Sequence, residues 1–152
     1  MVHLYNLSIG AVRFLFWVAS FFNSKAGLFI KGRKDIYKKI KSSLLENRSP
    51  IIWVHCASLG EFEQARPVIE KFKNEFRSYK ILLTFFSPSG FEVRKNYDQA
   101  DYIFYLPWDT HKNAVRFINE VQRALAIFIK YEFWFHYTGE LKKRNIPILS
   151  VS

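Results

Sequence analysis

A glutamate three residues beyond a serine, where an apolar run gives out, is the group in this chain best suited to moving a proton. The run is Ile51-Ile52-Trp53-Val54-His55, and the pair is Ser58 and Glu61. A carboxylate at the mouth of a cleft can take the proton of an attacking hydroxyl. The same Ser-x-x-Glu spacing is also a capping box, with Ser58 as the cap and Glu61 reaching back. A carboxylate in that first turn is favoured by the helix dipole as well. Spacing alone fits both roles. Gly60 lets a ligand come close to the backbone. Pro67 cannot donate to the carbonyl of Glu63. The helix is therefore expected to kink there or to begin later, leaving 58–64 as a shaped loop.

The stretch Ser87-Pro88-Ser89-Gly90 has a similar grammar. Ser87 or Ser89 suits a cap, Pro88 a first turn, and Gly90 close approach. Ser89 and Glu92 form a second potential capping box. Free N–H groups at two adjacent helix starts would suit an anion. Asp109 is expected to cap a helix over 110–122. Lys130 and Glu132 lie together in Lys-Tyr-Glu-Phe-Trp, either as a structural pair or as groups that orient a sugar or phosphate. His3, His55, His111 and His136 have no metal-ligand spacing, so no metal site is expected. Cys56 is the single cysteine, which excludes a disulfide framework within the chain and fits a reducing compartment. His55 and Cys56 should face opposite sides of a strand, which argues against a Cys–His nucleophile pair. Ser58 lacks the Gly-x-Ser-x-Gly setting of a hydrolase.

These residues need elements to hold them. Short apolar runs begin near Ile51, Lys80, Asp101, Ala124 and Pro147, each rich in Ile, Val, Phe or Tyr. Continuous apolar runs mark strands buried on both faces. Helical stretches are expected between them, over 61–77, 89–97, 110–122 and 135–145. Strand, helix, strand at this spacing predicts an α/β fold: a Rossmann-like parallel sheet with flanking helices over 49–152. Ligands bind such sheets at the carboxyl ends of the strands. Ser58, Glu61, Ser87, Ser89, Gly90, Asp109, Lys130 and Glu132 all fall at those ends.

The first 48 residues read differently. Residues 4–22 are apolar for nearly the length of a membrane span, but Arg13 sits in the middle, which is costly in hydrocarbon. No basic residue precedes the run, unlike a signal peptide. A basic stretch follows. Residues 1–41 hold eight Lys or Arg and one acid, Asp35, whereas the whole chain has a net charge of +10. An apolar helix followed by cations suits a segment lying in a membrane interface, with a span or a helix packed on the domain as alternatives. Arg13, Lys31, Arg33 and Lys34 are the expected contacts to membrane or ligand phosphates. Residues 44–50 read as a linker. Aromatics make up 18% of the chain, which fits either lipid contact or the codon usage of an AT-rich genome. No RRM, KH or zinc-finger signature accompanies the charge, so no nucleic-acid partner is expected.

The segments WVHCASLGEFEQARPVIE, LLTFFSPSGFEV, ADYIFYLPWDT and KYEFW occur in that order. Together with the apolar, basic start they resemble the N-terminal half of the lipid A Kdo transferases, over nearly the whole chain. That resemblance implies one half of a GT-B glycosyltransferase, the half that holds the lipid acceptor. The family moves Kdo from CMP-Kdo to a phosphorylated lipid A precursor at the cytoplasmic face of the bacterial inner membrane. The transfer inverts the anomeric centre and uses no metal or cofactor. The family's glutamate base falls on Glu61. Its second glutamate falls on Glu132, where this chain departs from the family pattern with Lys130 and Phe135. By the same resemblance Ser58, Gly60, Ser87, Ser89, Gly90, Lys130 and Glu132 would line the acceptor site. The family's donor-binding domain lies beyond these residues, so the 152-residue chain alone is expected not to transfer. The alternative is a non-catalytic lipid-binding module with the same surface.

Overall fold

The computed structural model describes residues 2–121, 123–130 and 134–151. Five strands form one parallel sheet: β1 (Ile51–Cys56), β2 (Lys80–Phe85), β3 (Tyr102–Tyr105), β4 (Arg123–Ile129) and β5 (Ile148–Val151). Their spatial order is β3-β2-β1-β4-β5. The chain winds outward from β1 through β2 to β3, then crosses back to place β4 on the other side of β1. The order therefore reverses between β1 and β4, and such a switch point opens a crevice at the strands' carboxyl ends.

Each strand run is apolar because both faces are covered. All six residues of β1 are buried. Ile51 and Trp53 join one cluster with Phe117 and Leu141, whereas Ile52, Val54 and Cys56 join another with Phe62, Ala65 and Ile69. The period of two along a strand divides the core in this way. His55 follows the face of Trp53, and Cys56 takes the opposite one, as the alternation requires.

The helices between strands are α4 (Leu59–Glu75), α5 (Pro88–Arg94), α6 (His111–Glu120) and α7 (Phe135–Lys143). α4 is one continuous helix that starts at Leu59 and carries Pro67 inside. It neither starts late nor leaves 58–64 as a loop. Pro67 and Glu63 both lie on the exposed side, so water can serve the carbonyl that the proline leaves without a donor. The buried face of Phe62, Ala65 and Ile69 holds the helix to the sheet.

Two capping expectations change. Thr110, not Asp109, caps α6, its side chain accepting from the Asn113 N–H at 3.3 Å. Asp109 is fully buried and caps α7 instead, accepting from the N–H groups of His136 and Tyr137, each at 3.2 Å. Sequence adjacency favoured the near helix; the fold brings the far one closer. Of the two serines expected to suit the cap of α5, Ser87 takes it, accepting from the Ser89 N–H at 3.2 Å with Pro88 in the first turn. Glu92 does not reach back to Ser89. It accepts from Lys95 at 2.8 Å and from the Tyr105 hydroxyl at 3.1 Å.

Three helices precede the sheet: α1 (Val2–Ala19), α2 (Ser24–Gly32) and α3 (Ile36–Leu44). The basic stretch that follows α1 is thus largely helical, while 45–50, within the expected linker, belong to no helix or strand. The stripe of Ile36, Ile40 and Leu44 enters the same cluster as Trp53, which makes α3 part of the core. At the end of α2, Gly32 lies so close to the ring of Tyr105 that an added Cβ would stand 2.3 Å from it.

None of α1 is buried. It is nevertheless tied to the domain along one side. The Tyr5 hydroxyl donates to the Asp109 carboxylate, His136 Nε2 meets Asn6 Oδ1 at 2.6 Å, and Phe16 stacks on Phe29 at 4.3 Å. Most of its other apolar residues, among them Leu4, Leu7, Phe14, Leu15 and Trp17, stay exposed.

Candidate active site

Glu61 stands in the first turn of α4, directly past the carboxyl end of β1. Ser58 is the N-cap, but its side chain does not bond a backbone N–H. Its hydroxyl donates to the Glu61 carboxylate instead. The expected box is therefore only half made: Glu61 faces back toward the cap, with the Ser58 and Glu61 N–H groups adding to its stabilisation. The Ser58 hydroxyl is the main influence holding this carboxyl below the usual glutamate range, against a smaller opposing effect of burial, and the Lys130 cation adds to the lowering. Glu61 is consequently ionised at neutral pH while remaining partly open to solvent.

Replacing Ser58 by Ala should raise the Glu61 pKa toward the ordinary range. Carboxyl-carbon NMR titration of the 152-residue chain would measure it. An unchanged midpoint would show that the backbone and Lys130, not the hydroxyl, set the charge.

The second loop is pressed against the first. The Ser87 N–H donates to the Ala57 carbonyl at 2.7 Å. A Cβ on Gly90 would meet the Phe85 ring at 2.3 Å and the Ser58 backbone at 3.1 Å, so only glycine lets α5 approach this closely. Gly60 is exposed, and a Cβ there would find nothing closer than 3.8 Å. Its value is an open approach to the helix start rather than close packing. The Ser87 and Ser89 hydroxyls lie 2.9 Å apart. Lys130 follows β4 with φ 52°, the left-handed region, and is exposed. Ser58, Gly60, Glu61, Ser87, Ser89, Gly90 and Lys130 thus gather at the carboxyl ends of β1, β2 and β4, around the switch point. Glu132 lies outside the described residues.

Arg33 departs from its expected role as a phosphate contact. It is 8% exposed and donates to three backbone carbonyls: Leu106 at 2.9 Å, Phe29 at 3.1 Å and Phe86 at 2.6 Å. Rings of Phe29, Phe86, Tyr105 and Trp108 surround it at about 5 Å. Burial pulls its pKa down to about 10, which leaves it charged at neutral pH. Arg13, Lys31 and Lys34 keep partly or fully exposed side chains beside a cavity of about 630 Å³ under α1, with Trp108 and Arg33 at its wall. On the Trp53 face of β1, burial draws the His55 pKa down to about 3, so the ring is neutral and meets Thr84 at 2.9 Å.

The Tyr5–Asp109–His136 connection had no signal in the local pattern, since Tyr5 and Asp109 are 104 residues apart. The one trace was an acid, Asp109, placed where an apolar strand ends.

This constellation can be compared with known proteins. The family model described as 3-deoxy-D-manno-octulosonic-acid transferase, or Kdo transferase, matches residues 30–152. The chain belongs to that family. It is 34% identical over 99 residues to the 3-deoxy-D-manno-octulosonic acid transferase of Haemophilus influenzae, covering 64% of this chain and 23% of that one. The protein of the same name from Aquifex aeolicus is 37% identical over 91 residues, 59% of this chain and 25% of the relative. The Chlamydia trachomatis (serovar D) protein, again of that name, is 25% identical over 138 residues, 84% of this chain and 32% of the relative. The chain thus spans between about a quarter and a third of these Kdo transferases.

Proposed function

We propose that this chain is the acceptor-binding half of a Kdo transferase of the GT-B type, with Glu61 as its general base. The acceptor is a phosphorylated lipid A precursor and the donor CMP-Kdo. The acceptor hydroxyl gives its proton to the Glu61 carboxylate as its oxygen attacks the anomeric carbon. The bond from that carbon to the CMP phosphate breaks, and CMP leaves on the opposite face, inverting the centre. The carrying observation is a glutamate at the switch point of the sheet, bonded by the Ser58 hydroxyl, in a chain of this family. Lys130 and the serines of the second loop would orient the sugar.

The membrane part of the reading draws on α1. It is the one helix among the described residues long and apolar enough to cross a membrane, and none of it is buried. Its attachment through Tyr5, Asn6 and Phe16 favours a helix lying along the domain, with its free side in the interface. Arg13, Lys31 and Lys34 would then meet lipid phosphates at the cytoplasmic face of the inner membrane.

A vesicle titration tests the acceptor site on the chain itself. One set of vesicles carries a phosphorylated lipid A precursor, the other plain anionic lipid at equal surface charge. Binding should be at least tenfold tighter to the first. Equal binding would reduce the chain to a basic, apolar anchor.

A further inference from the structure

A groove of about 610 Å³ runs between the C-terminal end of α1, α2 and the start of α5. Phe16, Ala26, Leu28 and Phe29 form one wall and Pro88 and Val93 the other, with the polar Asn23, Lys25 and Glu92 also lining it. Ser87 and Ser89 lie at one side, in the loop pressed against Ser58. Leu28 and Val93 on its rim are 38% and 58% exposed. Phe21 and Phe22, in the turn that joins α1 to α2, are 67% and 88% exposed. An apolar channel therefore leads from the exposed apolar side of α1 to the loop beside Glu61.

We infer that this groove holds one acyl chain of the acceptor, with the polar head of the same molecule at Glu61. This rests on the proposed function for the position of the head, but not for the groove itself. Most of the surface that the groove offers comes from Phe, Leu, Ala, Pro and Val, with Asn23, Lys25 and Glu92 beside it. A flexible hydrocarbon chain needs no polar partner and gains by leaving water. The two ends also match an amphiphile: hydroxyls and a carboxylate at one, exposed aromatics suited to an interface at the other. Drawing one acyl chain partly out of the bilayer would bring the head within reach of the base while the rest stays in lipid.

The test uses the 152-residue chain and 11-(dansylamino)undecanoic acid, below the probe's critical micelle concentration. Dansyl fluorescence should saturate at one probe per chain. Decanoic and dodecanoic acid should displace it, the longer about tenfold better, as two more buried methylenes require. Leu28→Glu and Val93→Glu, both at exposed positions and checked for folding by circular dichroism, should each weaken binding at least tenfold. Leu7→Ser, on the outer side of α1, should change it less than twofold. Absence of saturable binding would overturn the inference and leave the groove to a protein segment. Equal loss in Leu7→Ser would also overturn it, because the probe would then be sitting on the outside of α1. No turnover enters these measurements, so they stand or fall separately from Glu61 as a base.

Discussion

Replacing Glu61 by Gln is expected to cut Kdo transfer by about 100- to 10,000-fold, the usual contribution of a positioned base. The measurement needs a donor-binding part, so residues 1–152 would be joined to the C-terminal portion of the Aquifex aeolicus relative. Gln keeps the shape of the side chain and can still take the Ser58 hydroxyl through its carbonyl, so the start of α4 survives. What it loses is the ability to accept a proton. The fall should appear in kcat, with KM for the acceptor nearly unchanged. Stability should stay within about 0.5 kcal/mol, as for other partly exposed positions.

The pH profile gives an independent sign. A base works only when deprotonated, and Glu61 is held below the usual glutamate range, first by the Ser58 hydroxyl. Activity in the parent chimera should therefore persist as pH falls through the ordinary glutamate range, and the acid limb should move upward in Ser58→Ala. Near-parent turnover in Glu61→Gln would remove the base and leave Glu61 with a role at the helix start.

The sheet was legible because its strands are buried on both faces, so each announces itself as an unbroken apolar run; β1, from Ile51 to Cys56, is the clearest. That Ser58, Glu61, Ser87 and Lys130 stand just past strand ends was legible to the same depth, since each follows such a run closely. Contacts across long separations were not. Asp109 looked like the cap of the next helix because Thr110 and His111 follow it directly, and nothing local pointed to His136 and Tyr137. Arg33 looked like one of several surface cations because a charge in a basic stretch is usually solvated. Its aromatic surroundings come from α2, from the end of β3 and from the segments after β2 and β3, which meet only once the sheet has formed. α3 was obscured by its lysines, although Ile36, Ile40 and Leu44 recur at helical spacing.

Arg33 offers the other large effect. Arg33→Met and Arg33→Lys should each lower stability by about 3 kcal/mol, a drop of roughly 6–12 °C in Tm for a domain of this size. Methionine fills much of the space but leaves the carbonyls of Phe29, Phe86 and Leu106 without this donor. Part of that loss is offset because a buried cation no longer has to be desolvated. Lysine keeps the charge, but its ammonium is a compact, strongly hydrated point that cannot replace a planar fork reaching three carbonyls. The lysine variant is the decisive one. At a solvated phosphate contact, Arg to Lys would change stability by no more than about 0.5 kcal/mol. A melt near that of the parent protein would return Arg33 to the surface role expected from the basic stretch. A large drop would mean that Arg33 fastens the end of α2 to the loops after β2 and β3. Those loops lead into Ser87 on one side and Asp109 on the other. Through them a single buried cation would help hold the groove wall, α1 and the second loop of the candidate site in one arrangement.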